Sequence, residues 1–262
     1  MHRESSAGRA PAQPAAFTLI ELLVVVAVAA LLMSILLPAL HTAREQGKAV
    51  VCESNLRMLS IAVYMYAEDN GGWFPEWGHC HDGGAVRAEY SWLKTMGPQY
   101  GQVSKLLRCP ADCSSLWNAA VPHATAAEAS EVRQTSYGTN YYVTTGGVDN
   151  PLYERDGHGY NRLDWIRQPC NTIFFSELAE TGEHAVSDHV HVEDWAAHYP
   201  NEREEAAKEV ALGRHRGKEG YGFIDGHAVL LPFERTFQIQ RIDESTFEIE
   251  WFFNKYDPTI AR

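Results

Sequence analysis

The sequence predicts an α+β fold in which a long N-terminal helix is laid on an antiparallel sheet. Three observations predict it: an apolar run from Phe17 to Leu40, its continuation at helical spacing as far as Asn70, and a C-terminal third whose apolar residues alternate as strands do.

The run is apolar except for Thr18, Glu21 and Ser34. It is long enough to cross the ~30 Å hydrocarbon core as a helix, which takes about 20 residues. A Sec-type signal has a shorter apolar region with small residues after it. Here Pro14, Ala15 and Ala16 come before the run. His2, Arg3 and Arg9 precede it and no further Lys or Arg appears until Arg44, which assigns the short N-terminus to the cytoplasm and the remainder to the other side. Glu21 is costly in that setting, by about 2.5–3.5 kcal/mol at a bilayer centre and less near an end, so it should have a partner. A cut between Ala16 and Phe17 would create an α-amino group four residues before Glu21, one helical turn away. That amine could neutralise Glu21 in its own chain or in a neighbour's. The plainer alternative is a tilted anchor whose Glu21 snorkels to the interface. Pro38, late in the run, is expected to kink or locally melt the helix.

Beyond the run, Leu56, Leu59, Val63 and Tyr66 recur at three and four residues and form one apolar face, and Asn70-Gly71-Gly72 ends the helix. The stretch from Asn201 to Leu212 reads as a short exposed helix stopped by Gly213. In "YGFIDGHAVLL", two short apolar runs flank Asp225-Gly226, a strong hairpin signal. In "TFQIQRIDESTFEIEWFF", Phe237, Ile239, Phe247, Ile249 and Trp251 alternate with Gln238, Gln240, Glu248 and Glu250, a second hairpin with one buried face. The expected organisation is a leader over 1–16, a membrane helix over 17–40, a stem over 41–70 and one head domain over 71–262. All seven tryptophans lie beyond residue 70, which suits a single head core. The leader, rich in Ala, Ser and Pro, is expected to be disordered.

The net charge of −12 and the lack of a basic stripe exclude a nucleic-acid binder. Twelve histidines raise the question of a metal, chiefly at Asp188-His189-Val190-His191 with Glu193, Asp194 and His198, and at His79-Cys80-His81-Asp82. The patterns H-E-x-x-H, G-x-S-x-G and the P-loop are absent. No metal, no cofactor and no catalytic residue is expected, and solvated loop histidines are the plainer reading. Cys52, Cys80, Cys109, Cys113 and Cys170 would face an oxidising compartment under this topology, so disulfides are expected, with at least one cysteine unpaired.

The leader, Phe17-Thr18-Leu19-Ile20-Glu21, the apolar run and Pro38 resemble the class III signal of type IV pilins and type II secretion pseudopilins. The resemblance implies a prepilin peptidase as partner, cutting between Ala16 and Phe17 and methylating the Phe17 amine. It also implies that Phe17, Glu21 and Pro38 serve assembly, with Glu21 registering each incoming subunit. Ala16 stands where the family usually carries Gly. The leader bears one net positive charge, so its removal leaves −13. Pro38–Glu76, "LLRCPAD" (Leu106–Asp112), "SYGTNYY" (Ser136–Tyr142) and "RHRGKEGYGFIDGHAVLL" (Arg214–Leu231) are similar to a planctomycete-type group of prepilin-like proteins, whose signature is His215, nine residues, then Asp225-Gly226. Either His215 and Asp225 form a polar pair that fixes or presents the loop, or Asp225 shapes the turn with Gly226 while His215 caps or packs beside the preceding helix end. Cys52 and Cys109 fall in two of the matching blocks, which suggests a bridge between them; Cys109 with Cys113 is the local alternative.

The expected function is therefore a non-enzymatic, pilin-like subunit. It would be single-pass in the inner membrane with a periplasmic head, and would assemble with other pilin-like subunits through its N-terminal helix into a type II secretion pseudopilus or pilus-like fibre. The alternative is an inner-membrane-anchored periplasmic binding or metal-dependent hydrolytic domain.

Overall fold

The computed structural model describes residues 18–78, 91–118, 132–145, 150, 152, 156–241 and 249–261. The leader, Phe17, the His79-to-Asp82 cluster and Phe247 lie outside the described residues. Packing divides the chain into two compact units, Met1–Arg44 and Glu45–Arg262.

Helix α1 runs Leu19–Asp69 and contributes to both units. In the first unit its Leu, Ile, Val and Met side chains are exposed on every side, from Leu19 at 78% to Leu40 at 59%. This is the one described helix long and apolar enough to cross a membrane. Pro38 lies inside it without interrupting it, contrary to local melting. A proline removes one N–H from the ladder, and the bonds on either side hold.

In the second unit α1 changes character. Leu56, Leu59 and Val63 are fully buried and Tyr66 packs partly buried against the same core, as the spacing predicted. Each of the aliphatic residues contributes about 1.5–3 kcal/mol by burial. The helix stops where Gly71 and Gly72 take positive φ and the Gly72 N–H donates to Ala67 O at 2.7 Å.

The strands are β1 Tyr137–Asn140, β2 Ile173–Glu177, β3 His189–Val190, β4 Glu219–Phe223, β5 Ala228–Leu231, β6 Phe237–Arg241 and β7 Ile249–Asn254. Five form one sheet in the order β3-β1-β2-β4-β5. All its pairs are antiparallel except β1 with β3, so the sheet is mixed where an antiparallel one was expected. β3 reaches β1 only after the chain has left the sheet past β2, and it returns in β1's direction. β6 and β7 pair antiparallel as a separate two-stranded sheet, with Phe237 and Ile239 buried and Gln238 exposed.

β4 lies directly on α1, and its glycines explain how. A Cβ at Gly220 would fall 2.5 Å from Leu56 Cδ1, and one at Gly222 would collide with Ser60 Oγ. Period-2 alternation puts both glycines on the helix side and Tyr221 on the other, where Tyr256, Trp195 and Phe237 stack edge to face. The predicted first hairpin is β4–β5, turning at Gly226 with φ +93°. The helix expected over 201–212 spans Glu202–Glu209 and is half-buried: Ala206 and Glu209 face inward, and Val210 leaves it to bridge Leu178. The architecture is α+β, a long N-terminal helix whose later half packs on a sheet, the pilin-like arrangement.

Candidate functional site

Helix α1 opens on a capping box. Thr18 Oγ1 accepts from the Glu21 N–H at 3.3 Å, while Glu21 Oε2 accepts from the Thr18 N–H at 2.9 Å and its hydroxyl at 2.7 Å. The reciprocal arrangement satisfies two N–H groups that a helix start leaves open. T-x-x-E is a local capping signal, and the partner it gives Glu21 is a neutral hydroxyl and a backbone N–H, not a charge. Ala16 and Phe17 lie outside the described residues.

The head builds one buried polar hub from distant stretches of the chain. Glu177, at the end of β2, stands across from Tyr137 of β1, and both face Cys52 of α1. Glu177 Oε1 receives Cys52 Sγ at 3.2 Å, His215 Nε2 at 3.2 Å and Arg214 Nη1 at 3.1 Å. Glu177 Oε2 accepts the Gly220 N–H at 2.7 Å. Cys109 Sγ lies 3.5 Å from His215 Nε2 and accepts the Ala111 N–H at 3.4 Å. Burial pushes Glu177 up, but the His215 hydrogen bond and the Arg214 guanidinium overcome it and hold the carboxyl at about 2. Burial pushes His215 down, and its bonds to Cys109 and Glu177 reverse this, to about 9. Next to the hub, Asp112 accepts from Arg133 Nε at 2.8 Å and from Ser136 Oγ at 2.6 Å, while the Arg133 guanidinium also donates to Leu178 O, Ala179 O and Ala185 O.

The expected Cys52 and Cys109 are thus brought into one cluster, both as free thiols, while Cys113 is exposed and donates to Ala111 O. His215 and Asp225 are not partners. His215 is buried in the hub, whereas Asp225 Oδ1 accepts the His227 N–H at 3.1 Å and bonds its Nδ1 at 2.5 Å, shaping the turn with Gly226. Nor does His215 cap a helix: the carboxylate of Glu177, 38 positions away in sequence, takes its ring nitrogen. Glu177 carried no local motif, so the sequence alone did not single it out.

The histidines of 189–198 are not solvated as a group. His189 is 1% exposed, with Nδ1 3.0 Å from Asp188 Oδ1 and Nε2 3.1 Å from His191 Nε2. His191 in turn meets Glu209 Oε2 through its N–H at 2.6 Å and its Nδ1 at 3.3 Å, and Trp195 Nε1 donates to Glu209 Oε1 at 3.0 Å. The two histidines share a face, as a strand would make them do, but the carboxylates that hold them are Asp188 and Glu209. Asp194 and His198 are exposed at the surface. His184, His191 and Glu209 lie close enough to hold a cation.

Residues 13–37 match the family described as the prokaryotic N-terminal methylation motif. No curated protein and no solved structure matches the chain. The segment that opens α1 is therefore a prepilin-type N-terminal motif followed by a helix able to cross a membrane.

Proposed function

We propose that the protein is a prepilin-type subunit, cut before Phe17 by a prepilin peptidase, N-methylated there, and assembled through its N-terminal helix into a type II secretion pseudopilus or pilus-like fibre. The observation that carries the reading is the methylation motif over 13–37, ending in a helix that starts at Leu19 and exposes apolar side chains on every side. Such a helix needs lipid or neighbouring helices around it. The capping box adds support, because it holds the Glu21 carboxylate at the Thr18 N–H, one residue from the amine that cleavage creates. The lack of positive charge between Arg9 and Arg44 supports a cytoplasmic leader, an inner-membrane span and a periplasmic head. Its partners are then the peptidase and other pilin-like subunits, and its role is structural.

Processing tests this first. Intact mass and N-terminal peptide mapping of the protein from its own membranes should find Phe17 first, carrying an added methyl group, with Met1–Ala16 gone. Retention of Met1, or a cut after residue 40, would overturn the reading.

A further inference from the structure

We propose that Cys52, Cys109, Glu177 and His215 form a closed, four-ligand site for a thiophilic divalent cation, zinc by the chemistry of its donors. It would bolt the stem part of α1 to the head. The proposal goes beyond assembly through the N-terminal helix and does not depend on it.

The four donor atoms lie within 4.8 Å of one another, and all four residues are buried. Zinc bonds of about 2.3 Å to sulfur and about 2.0–2.2 Å to nitrogen or oxygen give a tetrahedron with edges of roughly 3.3–3.8 Å. Three of the six edges are 3.2 Å from Cys52 Sγ to Glu177 Oε1, 3.2 Å from Glu177 Oε1 to His215 Nε2, and 3.5 Å from His215 Nε2 to Cys109 Sγ, and the other three lie within 4.8 Å. Two thiolates, one imidazole and one carboxylate form a soft-to-borderline set that suits zinc.

Hydrogen-bond capacity points the same way. A carboxylate oxygen has two lone-pair directions, yet Cys52, His215 and Arg214 all converge on Glu177 Oε1. One cation in place of the thiol proton and the imidazole proton relieves that crowding and leaves Arg214 as the remaining donor. Binding would release the two thiol protons and the imidazolium proton of His215 to solvent, leaving His215 as the neutral ring bonding through Nε2. Each anionic ligand already has an outer partner of the kind metal ligands use. Gly220 N–H holds Glu177 Oε2, Ala111 N–H points at Cys109 Sγ, and the Tyr137 hydroxyl lies 3.5 Å from Cys52 Sγ. Charge closes as well: three anionic ligands face a divalent cation and the Arg214 guanidinium. A disulfide between Cys52 and Cys109 would instead leave those donors against a neutral, weakly accepting bridge.

The ligands come from α1, the loop at Cys109, the end of β2 and the turn before β4, four separate stretches of sequence that share no local pattern. With four protein ligands and no open position, the site is structural.

The test uses the full chain, purified in detergent with thiols protected and without chelators. Metal analysis should find about one zinc per chain. Cys52 and Cys109 should resist alkylation until a chelator is added. Replacement with Co²⁺ should give thiolate-to-cobalt charge-transfer bands and the intense ligand-field absorption of a tetrahedral ion. C109S and H215Q should each lower zinc affinity by at least about tenfold. Should those variants fail to fold, the cobalt spectrum of the unaltered chain still decides. Peptide mapping that finds a Cys52–Cys109 disulfide in metal-free native protein would overturn the proposal. So would reactive thiols in a metal-free chain, or zinc that persists undiminished in a Cys52→Ser/Cys109→Ser double variant.

Discussion

The two parts of α1 obey opposite rules within one helix. From Leu19 to Leu40 the apolar side chains point outward all round, and the side-chain hydrogen bonds are local, Thr18 with Glu21 and the Ser34 hydroxyl to Leu31 O. From Cys52 to Ala67 a single face is buried, and along it Cys52 and Asn55 reach residues more than 50 positions away. The difference teaches where each part finds its stability. The first part has its own backbone ladder and no packed face, as suits a helix able to cross a membrane. The second is held by tertiary packing, which in soluble domains supplies most of a helix's stability.

The largest effect expected from that contrast is on assembly. Glu21→Gln removes the charge but keeps the side chain's shape. Insertion should persist and become easier, because an ionised group is no longer carried into lipid. Cleavage before Phe17 should persist too, since the cut precedes the changed residue. Incorporation into a fibre should fail, because the incoming subunit's amine loses its counter-charge and the helix its register. Crosslinking between neighbouring stems in membranes, compared with the unaltered protein, measures this; equal yields would mean that Glu21 only caps its own helix.

A pair of leucines sharpens the comparison further. Leu56 is fully buried between α1 and β4, while Leu32 is 56% exposed in the first unit. Leu56→Ala should cost the head about 2–5 kcal/mol, a fall in melting temperature of several degrees. Leu32→Ala should leave that transition unchanged. Thermal unfolding in detergent, followed through the head's tryptophans, compares the two; equal losses would show that the units unfold as one.

The same two parts explain what the sequence disclosed. Leu56, Leu59 and Val63 were legible because helical periodicity is a local pattern, and Asp225-Gly226 because a turn needs its residues side by side. Trp251 and Ile249 were legible as a strand through alternation, and β7 pairs with β6. The parallel β1–β3 pairing was not, since two residues of β3 carry no period and their partner lies some 50 positions earlier. In the candidate site, His215 and the two cysteines stood out as residue types. Glu177, which determines how His215 and its neighbour Arg214 are used, meets them only after β2 and β4 have paired. Glu209 is hidden for the same reason: it reads as one more charge in an exposed helix until Val210 turns it inward.

A smaller effect belongs to the head alone. Burial holds Glu193 and Glu219 at about 7, above their usual 4.5. Each binds its proton more tightly folded than unfolded, so the stability this gives is present below about 4.5 and is lost as pH rises through 7. Asp112 acts in the other direction. Burial opposes its charge, but Arg133 and Arg214 overcome this and depress its pKa, so its contribution is present above 3.8 and is lost as pH falls below it. On these groups the head should be most stable between roughly pH 3.8 and 4.5, and should lose stability steadily from 4.5 up to 7. Melting temperature across the range measures this, and Glu219→Gln should flatten the alkaline side. Stability that climbs steadily to pH 8 would mean these carboxyls ionise without cost.

The smallest effect tests whether the first turn of α1 is independent of everything beyond it. Thr18 accepts the Glu21 N–H and donates to its carboxylate, so Thr18→Ala removes the hydroxyl from both bonds and keeps only the backbone donor to Glu21. Loss of an N-cap side chain costs about 1 kcal/mol, and the effect is confined to the turn it closes. Amide exchange at Leu19–Leu22 should therefore speed up about fivefold, the equivalent of that energy, while the head's melting temperature stays where it was. Glu21, freed from the Thr18 hydroxyl, should also become more available to a neighbour's amine, so fibre yield should hold or rise. A variant that lost fibres as completely as Glu21→Gln would show instead that the capping box is what presents the carboxylate, and that the register of assembly is set inside each subunit before it meets the next.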